Sequence, residues 1–174
     1  LEKHNIPISY IAGSSIGAII GAYYARHTNI EKLEEVILAF DRKKGMELFD
    51  FTIRGGIVKG KKTEQFITEI LETAQFQDLK IPFAAVATDL NTAESVIMTK
   101  GNLSKAIRAS ISIPAFYQPI VYRNKLLGDG GLSNPVPIDV VSSMGADITI
   151  AVNLDQVYVD KVLTAIPALS TVPI

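Results

Sequence analysis

The sequence predicts a layered α/β fold, in which helices cover a sheet of buried strands. Short strand patterns alternate with helix patterns along the chain. Residues 83–88 are apolar almost throughout, as is typical of a strand buried on both faces. Apolar residues make up 48% of the 174 residues, which is enough for the core of one domain over residues 1–174.

The composition excludes several classes of protein. With 17 basic and 18 acidic residues the net charge is −1, which argues against a nucleic-acid partner. The absence of cysteine excludes thiol catalysis, disulfides and cysteine metal sites. No signal peptide and no run of 18 apolar residues is visible. We therefore predict a cytoplasmic protein without metal or cofactor, for which peripheral membrane contact and the oligomeric state stay open.

Capping residues and apolar periodicity predict the helices of the first half. A helix rich in small residues follows a short strand at residues 8–12. A capping box of Thr28 and Glu31 predicts the start of a second helix, and Thr63 the cap of a third. The predicted apolar faces are Ile30, Leu33, Val36, Ile37 and Phe40 in the second helix, and Phe66, Ile67, Ile70, Leu71 and Ala74 in the third. A loop rich in glycine and lysine, residues 54–62, separates them.

Turn residues divide the second half into hairpins and helices. The strand at 83–88 turns at 91–94 into a second strand at 95–98, and a helix at 103–110 stops near Pro114. The later elements are a hairpin over residues 120–127, a helix over 138–144 between Pro137 and Gly145, and a continuous apolar strand over 148–152.

The pentapeptide at residues 13–17, Gly-Ser-Ser-Ile-Gly, has the form G-x-S-x-G between a strand and a helix. This context is typical of a nucleophile elbow, which lifts the central Ser15 clear of the sheet. Side chains would collide in such a turn, so we expect glycine to be needed at Gly13 and Gly17. The N–H of Ile16 at the helix start would stabilise an oxyanion. The alternative is a glycine-bounded turn with an incidental serine.

A serine nucleophile needs a base, and the histidines do not provide one. The sequence has only His4 and His27, and neither follows a candidate acid in the usual Ser-acid-His order. The base should therefore be a carboxylate or a lysine. Asp129, followed by Gly130 and Gly131, supplies a carboxylate in a turn that permits close backbone approach. The alternative is an ordinary Asp-Gly turn.

Read together, these motifs resemble the patatin-like phospholipase family from about Asn5 to about Leu154. The segments that carry the resemblance are residues 11–18, 87–90, 106–114, 129–131 and 134–137, in that order. The resemblance implies a three-layer α/β/α sandwich with a mainly parallel central sheet. It also implies a catalytic Ser-Asp dyad, with Ser15 as nucleophile and Asp129 as general base. The family further has a glycine-rich oxyanion loop with a basic residue upstream of the serine, which we expect to lie outside these 174 residues.

The resemblance implies a serine acyl hydrolase whose substrate is a phospholipid, a lysophospholipid or a related acyl ester. Two alternatives stay open, a small-molecule carboxylesterase or thioesterase and a non-catalytic lipid-binding or regulatory module on the same scaffold. Arg108 could bind a phosphate or pair with a local acid. Phe116, Tyr117 and Met98 could line an acyl groove, although core packing is the simpler interpretation.

Overall fold

The computed structural model describes residues 1–39, 58–72 and 75–154. The first described half is mostly helical. It contains β1 (Ile11–Ser14), α1 (Ile16–His27), α2 (Ile30–Ala39) and α3 (Lys61–Leu71), with short 3₁₀ turns at Glu2–His4 and Phe76–Asp78. The predicted positions Phe40 and Ala74, and residues 54–57 of the predicted loop, lie outside the described residues.

The second half carries most of the sheet. Its elements are β2 (Phe83–Asp89), β3 (Ser95–Met98), α4 (Leu103–Ser110), β4 (Ile120–Tyr122), β5 (Lys125–Gly128), a 3₁₀ turn at Gly130–Leu132 and α5 (Ile138–Ser143). The hairpins β2–β3 and β4–β5 and the helix after Pro137 are confirmed. Arg123 and Asn124 connect β4 to β5 with φ of 50° and 61°, values suited to a tight hairpin turn.

The described strands form one mixed sheet in the order β1-β2-β5-β4, with β3 also paired to β2. β1 and β2 are parallel, whereas the pairings β2–β3, β2–β5 and β4–β5 are antiparallel. β2 is therefore the strand that connects the others, and all seven of its residues are buried.

Alternation along β2 divides the core between two layers of helix. Phe83, Ala85 and Ala87 belong to the main cluster, which α1, α2, α3 and α4 cover. Ala84 and Val86 face the opposite way and pack with Val140 of α5. Because successive side chains of a strand point to opposite faces, one buried strand joins both layers. The layered α/β fold is confirmed, with helices on both faces of the sheet.

Two predicted helix caps are wrong by one to three residues. Thr28 ends α1 in the left-handed conformation, and the Oδ1 of Asn29 accepts the N–H of Lys32 at 2.7 Å as the cap of α2. α3 begins after Gly60, so Thr63 lies buried inside its first turn. Helix ends depend on local hydrogen-bond geometry, which a capping pattern alone does not fix to the residue.

The predicted strand at residues 148–152 is also wrong. These residues are not in a strand, and Ile148, Ile150 and Val152 are 84%, 64% and 75% exposed. A strand needs a neighbour for its hydrogen bonds, and no described strand pairs with this segment. Among the described residues, no helix is both long enough and apolar enough to cross a bilayer.

Candidate active site

The register of the sheet brings Ser15 and Asp129 together. Residues 85 and 86 of β2 pair with both β1 and β3, and residue 88 pairs with both β3 and β5. β1 and β5 therefore share the edge of β2 that β3 does not use. β1 runs parallel to β2 and β5 antiparallel, so their carboxyl ends point at each other. Extending either register by one residue places Ser15 and Asp129 level with Ala87.

Ser15 occupies a strained turn between β1 and α1. Its φ and ψ are 53° and −125°, a conformation that residues with a Cβ rarely adopt. α1 begins at the next residue, so the N–H of Ile16 is among the first four of the helix, which have no partner within it. The strand–turn–helix arrangement predicted around Ser15 is present.

The two glycines of the pentapeptide, Gly13 and Gly17, differ in the space available for a side chain. A Cβ added at Gly13 would collide with the main-chain carbonyl of Gly17, so glycine is required there. A Cβ added at Gly17 would meet no atom within 4 Å. The expected steric need for glycine at Gly17 is therefore wrong, because the close approach uses the carbonyl of that residue and leaves its α-carbon facing open space.

Asp129 is held from four directions. Its Oδ2 accepts the Ser15 hydroxyl at 2.7 Å, and its Oδ1 accepts the N–H of Gly131 at 2.8 Å. Its own N–H donates to the carbonyl of Ser112 at 2.9 Å, and its carbonyl accepts the Thr88 hydroxyl at 2.7 Å. These four hydrogen bonds fix the backbone and both carboxylate oxygens, so the carboxylate stays directed at Ser15.

The glycines after Asp129 allow this turn to lie against β2. A Cβ at Gly130 would collide with the carbonyl of Val86, so no other residue fits between the turn and the strand. A Cβ at Gly131 would lie 3.0 Å from Oδ1 of Asp129 and press on the carboxylate. The close backbone approach predicted for this pair is present.

Asp129 is buried, with 6% of its surface exposed. Burial raises the pKa of its carboxyl above the ordinary aspartate value, and the hydrogen bonds from Ser15 and Gly131 offset part of that rise. The carboxylate is therefore a stronger base than an exposed aspartate, and it accepts a hydrogen bond from the Ser15 hydroxyl.

Several buried hydroxyls around the pair were not found from the sequence. The hydroxyl of Ser110 accepts the N–H of Ser15 at 2.9 Å, and that of Ser14 donates to the carbonyl of Asn134 at 2.5 Å. The Thr88 hydroxyl holds the main-chain carbonyl of Asp129, as described above. Residues 106–114 marked the neighbourhood of Ser110, but a serine in a short segment carries no signal of the distant residues that it contacts.

Most of the other candidate residues from the sequence are buried in contacts within the fold. The guanidinium of Arg108 is 1% exposed, donates to the carbonyls of Lys59, Gly60 and Gln118, and lies 4.4 Å above the Tyr117 ring. A phosphate in solvent cannot reach it. Met98 and Tyr117 are buried as core residues, whereas Phe116 is 39% exposed.

The two histidines and Asp89, a second buried aspartate, lie in other surroundings than the pair. Nε2 of His27 lies 3.0 Å from the carbonyl of Ile70, and His4 is exposed. Asp89 ends β2, bonds the Asn91 N–H and pairs with Lys125 at 3.1 Å, which lowers the pKa of its carboxyl. In the described part of the chain, no group of three or more His, Cys, Asp or Glu side chains could hold a metal ion.

A family model and several relatives of this chain carry related descriptions. The sequence model described as Patatin-like phospholipase matches residues 1–142. An uncharacterized NTE family protein of Mycobacterium tuberculosis is 35% identical over 156 residues, which cover 89% of this chain and 43% of that protein. Patatin-like phospholipase domain-containing protein 7 of Mus musculus is 31% identical, over 88% of this chain and 12% of its own length.

Two further matches have lower identity. Lysophospholipase NTE1 of Candida albicans is 28% identical over 90% of this chain and 12% of its own length. The crystal structure of VipD from Legionella pneumophila aligns with a TM-score of 0.47 and 12% sequence identity. The alignment covers 72% of this chain and 40% of the VipD chain. The chain thus spans less than half the length of the relatives described here.

Alanine should be harmful at Gly13 and harmless at Gly17. We expect Gly13→Ala to lower the free energy of unfolding by about 3 kcal/mol or more, because both colliding groups are backbone. Gly17→Ala, the matched control, should raise it by up to about 1 kcal/mol, since alanine is the better helix former. Urea denaturation measures both, and equal losses in the two variants would contradict the geometry.

The raised pKa of Asp129 also predicts how stability depends on pH. Because the folded pKa lies above the unfolded value of about 3.9, the native state binds the proton more tightly. The stability that this group contributes is then lost as pH rises through the folded pKa. We expect Asp129→Asn to gain stability relative to the wild type as pH rises from about 4 through the folded pKa.

Urea denaturation across that pH range measures the difference. Asp147→Asn, which removes an exposed carboxyl, controls for the loss of one charge. A difference between Asp129→Asn and the wild type that stays flat, or moves against the variant as pH rises, would contradict the raised pKa.

Proposed function

Because the chain belongs to the patatin-like phospholipase family, we propose that it is a serine acyl hydrolase that cleaves acyl esters of lipids. The observation that carries the proposal is the 2.7 Å hydrogen bond from the Ser15 hydroxyl to Asp129 Oδ2. Nucleophile and base lie within direct proton-transfer distance, and neither histidine is needed.

The reaction begins at the Ser15 hydroxyl. Its Oγ attacks the ester carbonyl carbon while its proton passes to Oδ2 of Asp129. The negative charge that develops on the carbonyl oxygen is stabilised by the N–H of Ile16 and by the positive end of the α1 dipole. Collapse of the tetrahedral intermediate breaks the ester C–O bond, and the departing alcohol takes the proton from Asp129.

Hydrolysis of the acyl-enzyme repeats the same steps with water. Asp129 accepts a proton from the attacking water, and Ser15 recovers that proton as it leaves the acyl carbon. The raised pKa of Asp129 supports this double role, because a base acts best when its pKa lies close to the working pH. The Gly131 N–H holds the other carboxylate oxygen and keeps Oδ2 directed at the reacting group.

Exposed apolar residues that lie close in sequence to the dyad or to its contacts support a lipid as substrate. Ile16, which follows Ser15, is 51% exposed, and Leu132, three residues after Asp129, is 56% exposed. Ile113 is 48% exposed and follows Ser112, the residue whose carbonyl fixes the Asp129 backbone. We refer to these three residues as the apolar rim. Exposed apolar groups beside polar catalytic groups suit an acyl chain attached to an ester.

Removal of either dyad residue tests the proposed chemistry. We expect Ser15→Ala and Asp129→Asn to lower kcat for a short-chain p-nitrophenyl ester by about 10³-fold or more, since the two groups act as a unit. A fluorophosphonate probe should label the wild type at Ser15. The control Ser142→Ala removes an exposed hydroxyl on α5 and should keep both properties.

Two outcomes would contradict the dyad. Full turnover in Asp129→Asn would remove Asp129 as the base. Liposome binding by a folded wild type that neither hydrolyses esters nor accepts the probe would instead support a lipid-binding module on this scaffold.

Substitution in the apolar rim distinguishes a lipid substrate from a small ester. We expect Leu132→Asn and Ile113→Asn to lower kcat/KM for long-chain esters by about 10-fold, since burying one such side chain contributes about 1.5–3 kcal/mol. Hydrolysis of acetyl esters should change little. Leu38→Asn, at an 83% exposed apolar position on α2, serves as the control. Equal losses for short and long acyl chains would favour the small-molecule esterase.

A further inference from the structure

Ser110 connects the turn that carries Ser15 to the central strand. Its hydroxyl accepts the main-chain N–H of Ser15 at 2.9 Å and donates to the main-chain carbonyl of Val86 at 2.5 Å. Ser110 ends α4, 95 residues from Ser15 along the chain. A single hydroxyl therefore joins three separate elements, which are the turn after β1, strand β2 and helix α4.

The Ser110 hydroxyl satisfies two main-chain groups at this point of the sheet. Ser110 is 0% exposed, so water cannot replace it. A serine hydroxyl offers one proton and can also accept, and here Val86 takes the proton while the Ser15 N–H is accepted. Without the hydroxyl, the half-buried Ser15 N–H and the buried Val86 carbonyl would both lose this partner, at a cost in free energy.

The position of the hydrogen bond matters because Ser15 is strained. With φ of 53°, the turn keeps its shape only where its surroundings fix it. The hydrogen bond to Ser110 fixes the peptide plane that immediately precedes the Ser15 side chain. The same Val86 carbonyl lies against Gly130, in the turn that carries Asp129. The Val86 carbonyl is therefore close to both turns. It is linked to the Ser15 backbone through Ser110, and it packs against Gly130 beside Asp129.

We propose that Ser110 is a positioning residue for the reaction proposed above, on which this inference rests. Its hydroxyl holds the main chain of Ser15 so that Oγ faces Asp129 and the Ile16 N–H remains directed at the oxyanion. It also occupies the N–H of Ser15, which leaves the Ile16 N–H as the donor that this turn supplies to the oxyanion.

Four variants on α4 separate positioning from folding. Ser110→Ala should lower kcat about 10- to 100-fold with KM changed less than about threefold, because small misplacements of a nucleophile have effects of this size. Ser110→Thr and Ser110→Val have nearly the same shape, and only threonine keeps the hydroxyl. Ser110→Thr should retain most of the activity, whereas Ser110→Val should fall at least as far as Ser110→Ala.

Ser104→Ala is the matched control, since Ser104 is a buried serine of the same helix that bonds Thr68 instead of the dyad. It should lose some stability and keep its kcat. Measurements compare samples with the same folded fraction. A kcat of Ser110→Ala within twofold of the wild type, or the same loss in Ser104→Ala, would overturn the proposal.

A second measurement does not depend on turnover. Hydrogen exchange of the Ser15 amide, followed by NMR, should be at least 10-fold faster in Ser110→Ala than in the wild type and unchanged in Ser104→Ala. Unchanged exchange in Ser110→Ala would overturn the positioning role. If the wild type has neither turnover nor probe labelling, the proposed function fails, and this exchange experiment still decides whether Ser110 fixes the turn.

Discussion

The candidate site depends on one constraint, the meeting of β1 and β5 end to end along a single edge of β2. β1 pairs with β2 as far as Val86, and β5 pairs with β2 as far as Thr88, so both pairings end next to Ala87. The residue after each strand, Ser15 or Asp129, is then forced into the same gap. Because ladder hydrogen bonds set these registers, the 2.7 Å contact between the two side chains follows from the sheet rather than from flexible loops.

A gap between two strand ends interrupts the ladder, and its polar groups need other partners. Here side-chain hydroxyls provide them. Ser110 satisfies the carbonyl of Val86, and Thr88 satisfies the carbonyl of Asp129. In the described part of the chain, no buried side-chain nitrogen or oxygen lacks a hydrogen-bond partner. The hydroxyls that replace the ladder hydrogen bonds therefore also fix the two turns. The same contacts satisfy the backbone and orient Ser15 and Asp129.

The sequence predicted the parts of this site that local rules determine. Ser15 and Asp129 stand in short motifs whose glycines record close backbone approach, and the structure bears this out at Gly13 and Gly130. The helix over residues 103–110 was predicted as well, but the contacts of its last serine were not, because they reach across 95 residues of chain. The errors have the same origin. Whether Gly17 needs to be glycine depends on which atom its neighbour approaches, and whether an apolar segment such as residues 148–152 becomes a strand depends on a partner that pattern alone cannot supply.

A base that is not histidine also requires a particular environment. An exposed aspartate is a weak base, and burial strengthens it only by making its charged form less stable in the folded protein. The strained backbone of Ser15 is a second cost of the same kind. Both costs fall beside β2, all of whose residues are buried. The backbones of Ser15 and Asp129 are held against that strand by the hydroxyls of Ser110 and Thr88 and by close-packed Gly130. A less rigid part of the fold would relax: the serine would leave its strained turn, and the carboxylate would turn toward water. The proposed chemistry therefore needs a strand that is buried along its length, and the positions of Ser15 and Asp129 beside β2 meet that need.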